Sequence, residues 1–500
     1  MSGSPLFAVL VGMVVVFTAV PLVLHFDRGS HRLRRSQEFH HDHVAGVPRL
    51  GGIALVAAFV ILELVIILFC SKQSSLRDAV VLVSASFGMF GLGMWDDLNP
   101  LGAKGKLVVQ VLIASCVWFS GIGIMSFKIP FSGHLIHFGN WGIVFTIVWL
   151  VGMTNLINVI DGVDGLAAGI CLMLMVLLAY VGHQTGSFEL IASGMAGALL
   201  GFLCFNFPPA RIYLGDSGAY FLGFQIGFLA LVGSHKGTIV AALVAPLFAL
   251  AFPIVDMLLA ILRRGVRGLP IFRPDRGHIH HRLLQMGFSR RKVVLSIYAI
   301  TLIFLVMGFL AFVSDGQLVP VLLGIAVVIA LLCAGKFHFS RKWFAVGRVL
   351  GDSLETRQQV QYALSLTHWL VLEAGRHASL DSLWPNLVFV VQRLGFTSLS
   401  LTLADEVRVW QKPGSSGKTQ CRRQELRDGR SGVLVLKTRA RPIIEWPRPT
   451  NLLEEEILGP HDLAMLDPRL FEIISELVAE GWLKATGRLG KQKTSSSSKL

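Results

Sequence analysis

Apolar runs of about 20 residues recur along the first two thirds of this 500-residue chain, and no other feature constrains its fold so strongly. A helix needs roughly 20 mostly apolar residues to cross the hydrocarbon core of a bilayer, at ~1.5 Å per residue. Eleven runs meet that demand, near 5–25, 50–70, 78–94, 106–122, 141–158, 163–182, 187–206, 214–233, 238–262, 293–313 and 317–335. Composition agrees. The chain is 53% hydrophobic with a mean hydropathy of +0.64, and only 15% of it is charged, against about a quarter in an ordinary soluble protein. The expected fold is an all-α polytopic membrane protein of about 11 transmembrane helices. The first run lacks a basic leader and a small-x-small cleavage site, and basic residues follow it instead in DRGSHRLRR. It reads as a retained span.

A net charge of +14 invites a nucleic-acid reading, but the charge follows the loops. The loops at 26–49, 95–105, 158–163, 206–214 and 263–292 carry 16 Lys and Arg, and the alternate set carries 4. Basic loops stay cytoplasmic. The basic set is therefore expected inside, with the N-terminus outside and the C-terminus inside. The expected partner is anionic lipid, with no nucleic acid. The six cysteines show no CxxC or Cys/His spacing and read as small buried hydrophobes, without disulfide or zinc.

Past the last run the composition changes. Residues 1–335 read as the membrane domain and 336–355 as a juxtamembrane linker. In 356–486, LETRQQVQYALSLTHWLVLEAGRH, LWPNLVFVVQRLG and PRLFEIISELVAEGWLKA have helical apolar spacing. TSLSLTLAD and VRVWQ read as strands, and ELRDGRSGVLVLKT as a hairpin around Asp-Gly. This predicts a small C-terminal α+β cytoplasmic domain, GAF-like in its order of elements. A disordered tail is expected at 487–500.

Polar residues concentrate in the basic set of loops. These hold HHDHVAGVPRLGG, WDDLNP, NVIDGVDG, NFPPARIYLGDSG and FRPDRGHIHHRL, and the other loops hold nothing comparable. One site assembled from five loops on one side of the membrane is the simplest account. Asp96, Asp97, Asp161, Asp164 and Asp216 would bring up to five carboxylates together. Such crowding implies a divalent cation, and all-oxygen ligands favour Mg²⁺ or Mn²⁺. Lys106, Arg273, Arg276, His278, His280 and His281 supply the opposite charge, which with Mg²⁺ suits a diphosphate. Tyr213, three residues before Asp216, is placed to stack on a base.

Each piece alone has a plainer reading. Asp96–Asp97 could serve a helix dipole, DGVDG could be a turn and cap, and RPDRGHIHH could be a solvated loop. Glu63, in mid-span, reads as a helix–helix hydrogen-bond partner or a partly protonated carboxyl rather than a catalytic group. The combination favours a site.

WDDLNPLGAKGKL, NLINVIDGVDGLAAG, FNFPPARIYLGDSGA and FRPDRGHIHHRL, in that order, resemble the polyprenyl-phosphate N-acetylhexosamine-1-phosphate transferases, glycosyltransferase family 4. The resemblance covers residues 5–335. It implies a cytoplasmic site in the bacterial inner (plasma) membrane. It also implies Mg²⁺-dependent transfer of a sugar 1-phosphate from a UDP-N-acetylhexosamine to a polyprenyl phosphate, with release of UMP. By motif, Asp96 and Asp97 match the aspartate pair, with Asp97 the group that deprotonates or orients the lipid phosphate. Asp216 matches the metal ligand, and Asn158 a second residue near the metal and substrate. Asp161 and Asp164 match the aspartates beside the nucleotide, and Asn206 and Tyr213 positions around the uracil. Lys106, Arg276, His278, His280 and His281 match positions near the diphosphate and sugar, and His43, Pro48 and Gly51–Gly52 the first cytoplasmic motif. The chain departs from the pattern at Pro100, where many members have Asp or Asn.

GlcNAc is the expected sugar, with GalNAc or a 6-deoxy N-acetylhexosamine compatible with the same loop. HIHH differs from the PIHHH of the MurNAc-pentapeptide enzymes, the alternative within the family. Outside it, a cation-coupled transporter shares many helices and intramembrane acids, but its site would lie at the midplane between inverted repeats. A degenerate scaffold is the third reading, and a homodimer is compatible with all three.

Overall fold

The computed structural model describes residues 4–27, 47–69, 76–99, 101–128, 135–235, 239–266, 283–284, 286–314, 317–326, 346–377, 379–403, 406–413, 419–426, 433–439 and 468–497. The chain divides into two compact units, and the long continuous stretch of the second begins at Phe339.

The first unit is helical. Its helices are α1 (Pro5–Asp27), α2 (Gly51–Phe69), α3 (Leu76–Leu98), α4 (Ala103–Phe119), α5 (Gly142–Ile160), α6 (Leu166–Thr185), α7 (Glu189–Asn206), α8 (Gly215–His235), α9 (Ile239–Ala249), α10 (Ala251–Val266) and α11 (Arg290–Val313). Among the described residues seven helices are long and apolar enough to cross a membrane: α1, α2, α3, α5, α6, α7 and α11. The span expected at 238–262 is built from two helices, α9 and α10, bent by 71°, and counted as one broken span it makes eight among the described residues. Pro253 explains the break, since it has no N–H to offer the carbonyl four residues back. The span expected at 317–335 is described only as far as residue 326. Two short strands, β1 (Ser126–Lys128) and β2 (Leu135–His137), pair antiparallel where a plain loop was expected.

α8 is the axis of this unit and packs against α2, α3, α5, α6 and α9. It is apolar all round, as a helix without a solvent or lipid face must be, and Tyr220, Phe221, Phe224 and Phe228 are fully buried. α1 lies on α7 through small residues: a Cβ on Gly197 would sit 2.0 Å from the Val9 carbonyl oxygen, and one on Gly12 2.0 Å from that of Gly194. Such close backbone approach is how helices associate where no hydrophobic gain is available. Glu63 is buried in α2, and among the described residues neither carboxyl oxygen has a hydrogen-bond partner. The expected helix–helix hydrogen bond is therefore not formed there.

The second unit contains α12 (Val346–Glu373), α13 (Leu380–Arg393), β3 (Ser398–Thr402), β4 (Val407–Gln411), β5 (Thr419–Glu425), β6 (Val433–Arg439) and α14 (Pro468–Ser497). The strands form one antiparallel sheet in the order β4-β3-β6-β5. Leu399, Leu401, Leu434 and Leu436 point to one face by strand alternation and share a core with Val390, Phe471, Leu477 and Trp482. Two boundaries differ from expectation. α12 begins inside the stretch read as linker, and α14 runs through 487–497, which was read as disordered. In both places the i→i−4 ladder continues past the last apolar signal.

Candidate active site

The site lies where one set of helix ends meets. Asp96–Asp97 lie in the last turn of α3, and Gly215 opens α8. Asp97 joins the two: its Oδ1 accepts the Asp216 N–H at 3.0 Å, and its Oδ2 accepts the Ser217 N–H at 2.9 Å. A carboxylate on the first N–H groups of a helix satisfies donors that have no partner inside the helix and meets the positive end of its dipole. The packing is tight. A Cβ on Gly215 would sit 2.8 Å from Asp97 Oδ2, and Gly215 takes a positive φ of 75°, open to glycine at little cost.

Asp96 is 2% exposed and turns toward the site. Its Oδ1 accepts the Leu101 N–H at 2.7 Å, and its Oδ2 is ion-paired with Lys106 Nζ. Lys106 also lies 3.6 Å from Asp216 Oδ2, and the Asp96 and Asp216 carboxyl groups meet in a hydrogen bond. Residues from α3, α4 and α8 thus form one cluster.

The start of α2 is stitched to the loop before α8. The Tyr213 N–H donates to Pro48 O at 2.9 Å, Gly51 N–H to Tyr213 O at 2.9 Å, and Gly52 N–H to Leu214 O at 3.1 Å. Gly51 and Gly52 permit this approach, because a Cβ on Gly52 would meet Gly218 N at 2.6 Å. The stitch brings in Arg49, whose charge acts on Asp97 and Asp161.

NVIDGVDG forms the break between α5 and α6. Asp161 is desolvated by the protein around it, which holds its carboxyl well above the usual range, partly opposed by Arg49 and reinforced by Asp97 and Asp164. Asp164 is 4% exposed. Its Oδ2 accepts the Ala210 N–H at 3.2 Å and lies 3.6 Å from Arg290 Nη1. Its Oδ1 is buried without a partner among the described residues. Asn158 lies just upstream, partly exposed.

Three of the residues expected at the substrates are taken up by the protein itself. Asn206 is 2% exposed, and both ends of its carboxamide serve the protein: Oδ1 accepts from Gly165 N–H at 3.1 Å, and Nδ2 donates to Ile212 O at 2.8 Å. It ties two site loops together. Tyr213 is 4% exposed, too little ring face for a base to lie across. Asp97, expected at the lipid phosphate, has both oxygens committed to α8. His43, Arg276, His278, His280 and His281 lie outside the described residues.

Four further residues border the site. Arg49 sits inside the PRLGG motif. Arg290 and Arg291 close the basic loop at 263–292 and Tyr298 lies in the span that follows, and Arg291 Nε donates to Pro208 O at 2.8 Å and Tyr298 OH to Gly165 O at 2.5 Å. Ser–Arg–Arg at a helix start, against the dipole, was the available hint.

Among the described residues, Asp96, Asp97, Asp161 and Asp216 stand against Lys106 and Arg49, so negative charge is in excess there. An all-oxygen donor set of this kind fits a hard divalent cation, and Mg²⁺ commonly takes only one or two carboxylates and completes its shell with water and phosphate. Asp96 and Asp216 are the pair that fits. Among the described residues no three acidic, His or Cys side chains are arranged as a ready-made metal cage.

Comparison with known proteins identifies the family. The family model for glycosyl transferase family 4 matches residues 79–234. The chain is 36% identical over 266 residues to a probable undecaprenyl-phosphate N-acetylglucosaminyl 1-phosphate transferase of Bacillus subtilis, covering 53% of this chain and 72% of that protein. It is 33% identical over 284 residues to a decaprenyl-phosphate N-acetylglucosaminephosphotransferase of Mycobacterium tuberculosis, covering 51% and 70%. It is 28% identical over 323 residues to a phospho-N-acetylmuramoyl-pentapeptide-transferase of Clostridium perfringens, covering 61% and 97%. With its acidic loops gathered at one end of an apolar helical bundle, the chain belongs to glycosyl transferase family 4.

Proposed function

We propose that this protein transfers an N-acetylhexosamine 1-phosphate, GlcNAc by preference, from a UDP-sugar to a polyprenyl phosphate in the inner membrane, releasing UMP on the cytoplasmic side. The observation that carries this reading is the Asp96–Lys106–Asp216 cluster beside Asp161, at one end of an otherwise apolar bundle. Phosphoryl transfer asks little covalent chemistry of a protein and much positioning and charge neutralisation. The relatives named for GlcNAc transfer support the choice of sugar.

A lipid phosphate oxygen attacks the sugar-linked phosphorus, the bridging P–O bond to the uridylyl phosphate breaks, and UMP departs with that oxygen. Asp96 and Asp216 would hold Mg²⁺, which when bound neutralises the diphosphate. Lys106 places a positive charge between the two carboxylates. Asp161 and Asp164 hold the floor of the site, and Asn206 fixes its loops.

The test is UMP release by purified protein with undecaprenyl phosphate, Mg²⁺ and a panel of UDP-sugars that includes UDP-GlcNAc, UDP-GalNAc and UDP-MurNAc-pentapeptide. Release with a UDP-HexNAc, abolished by EDTA and by Asp216→Ala, is the expected result. Release only with the pentapeptide substrate would move the protein to the other branch of the family. Folded protein that releases no UMP with any donor would reject the reading.

A further inference from the structure

Arg49 has a position that the packing of its neighbours does not explain. Its backbone is fixed by the stitch between Pro48–Gly52 and Tyr213–Leu214, and its carbonyl oxygen would lie 2.7 Å from a Cβ on Gly215. The residue is thus held beside the first turn of α8, next to Asp97 and Asp216. Its half-buried side chain projects its charge onto two carboxylates from different elements, Asp97 at the end of α3 and Asp161 between α5 and α6. Among the described residues it closes no ion pair within 4.0 Å with either. Asp97 does not require it, because both Asp97 oxygens already accept backbone N–H groups of α8.

A guanidinium kept partly out of water, close to carboxylates and bonded to neither, retains its five N–H donors. Those donors form a planar fork that matches two oxygens of a phosphate group. The contrast with Lys106 is informative, since that cation is spent on Asp96 and reaches Asp216.

We propose that Arg49 is a substrate-binding residue that clamps the non-bridging oxygens of a reacting phosphate group beside the first turn of α8. This rests on the function proposed above and adds a residue to it. The shared ligand chemistry is a phosphate, and the source is either the diphosphate of the nucleotide sugar or the monoester of the lipid.

The experiment compares the full chain with Arg49→Lys and Arg49→Ala in detergent. Each is checked for a cooperative melt, and kinetics are run with UDP-GlcNAc and undecaprenyl phosphate varied in turn. Binding of UDP-GlcNAc and of inorganic pyrophosphate is measured separately by calorimetry. Arg49→Ala is expected to lose at least 10-fold in kcat/KM and to leave the melting midpoint within a few degrees. Arg49→Lys should recover part of the loss, since it restores the charge but not the fork. A raised KM for UDP-GlcNAc with weakened pyrophosphate binding assigns the clamp to the diphosphate. A raised KM for undecaprenyl phosphate alone assigns it to the lipid. An active wild type whose Arg49→Ala variant stays within twofold for both substrates overturns the inference and leaves the proposed function standing. An inactive wild type rejects the function instead, and unchanged pyrophosphate binding by Arg49→Ala would then reject the clamp too. If both variants fail to fold, Arg49 is structural and the proposal is wrong.

Discussion

Tyr298 and Gly169 fit each other as ring and notch: a Cβ on Gly169 would sit 2.0 Å from the Tyr298 hydroxyl oxygen. That hydroxyl donates to Gly165 O at 2.5 Å, so α11 holds the DGVDG turn through the space left by a missing side chain. Gly169→Ala should push the ring out, lowering both the melting midpoint and UMP release. Tyr298→Phe keeps the ring and loses one hydrogen bond, a cost of about 1 kcal/mol. Thermal unfolding in detergent compares the two. A Gly169→Ala protein as stable and active as wild type would show that the contact does not hold the turn.

Asp97→Asn should cost both stability and turnover. The substitution places an NH₂ donor against backbone N–H donors of Asp216 or Ser217, leaving at least one buried group unsatisfied, at about 1–3 kcal/mol. UMP release at saturating substrate should fall at least 10-fold. Near-normal turnover would mean that Asp97 is needed neither for chemistry nor for seating α8.

Asp161 ties stability to pH. Desolvation by the surrounding protein raises its carboxyl above the usual 3.8, so the folded protein holds this proton where the unfolded chain has released it. Stability from this group is therefore lost as pH rises from that ordinary value through the folded one. Asp161→Asn should raise the melting midpoint more at pH 8 than at pH 5, measured in EDTA so that no bound cation offsets the charge, and activity should fall. Equal midpoint changes at the two pH values would contradict the raised carboxyl.

Removal of residues 339–500 should leave UMP release within a fewfold of wild type. The core of the second unit is built from residues 360–485, and that of the first from residues 8–297. Complete loss of activity in a truncated protein with an unchanged melt would make the second unit part of the catalytic machinery.

Much of this was legible in the residues. Long apolar runs must become helices in lipid, because an unpaired backbone group there costs several kcal/mol. Acidic motifs confined to one set of loops therefore had to share one end of the bundle. Asp96, Lys106 and Asp216 meet as the loop chemistry predicted, and the Asp161 and Asp164 that interrupt two apolar runs occupy the break between α5 and α6. The Leu alternation of β3 and β6 was equally plain. The hairpin around Asp-Gly forms as β5 and β6, but β5, TQCRRQE, lies upstream of the segment read for it because it has no apolar alternation.

Tertiary structure alone decided what each polar atom does. Asp97 and Asp96 are adjacent in sequence, yet the helical turn between them sends one to the backbone of α8 and the other to Lys106. Asn206 and Tyr213 carry polar groups that a sequence would offer to a ligand, and packing commits Asn206 to Gly165 and Ile212 and buries Tyr213. Arg49, Arg291 and Tyr298 acquire their places from contacts with residues more than 80 positions away. Periodicity records which face of an element is apolar, a local property. Which atom satisfies which across distant segments is set only when the helices pack.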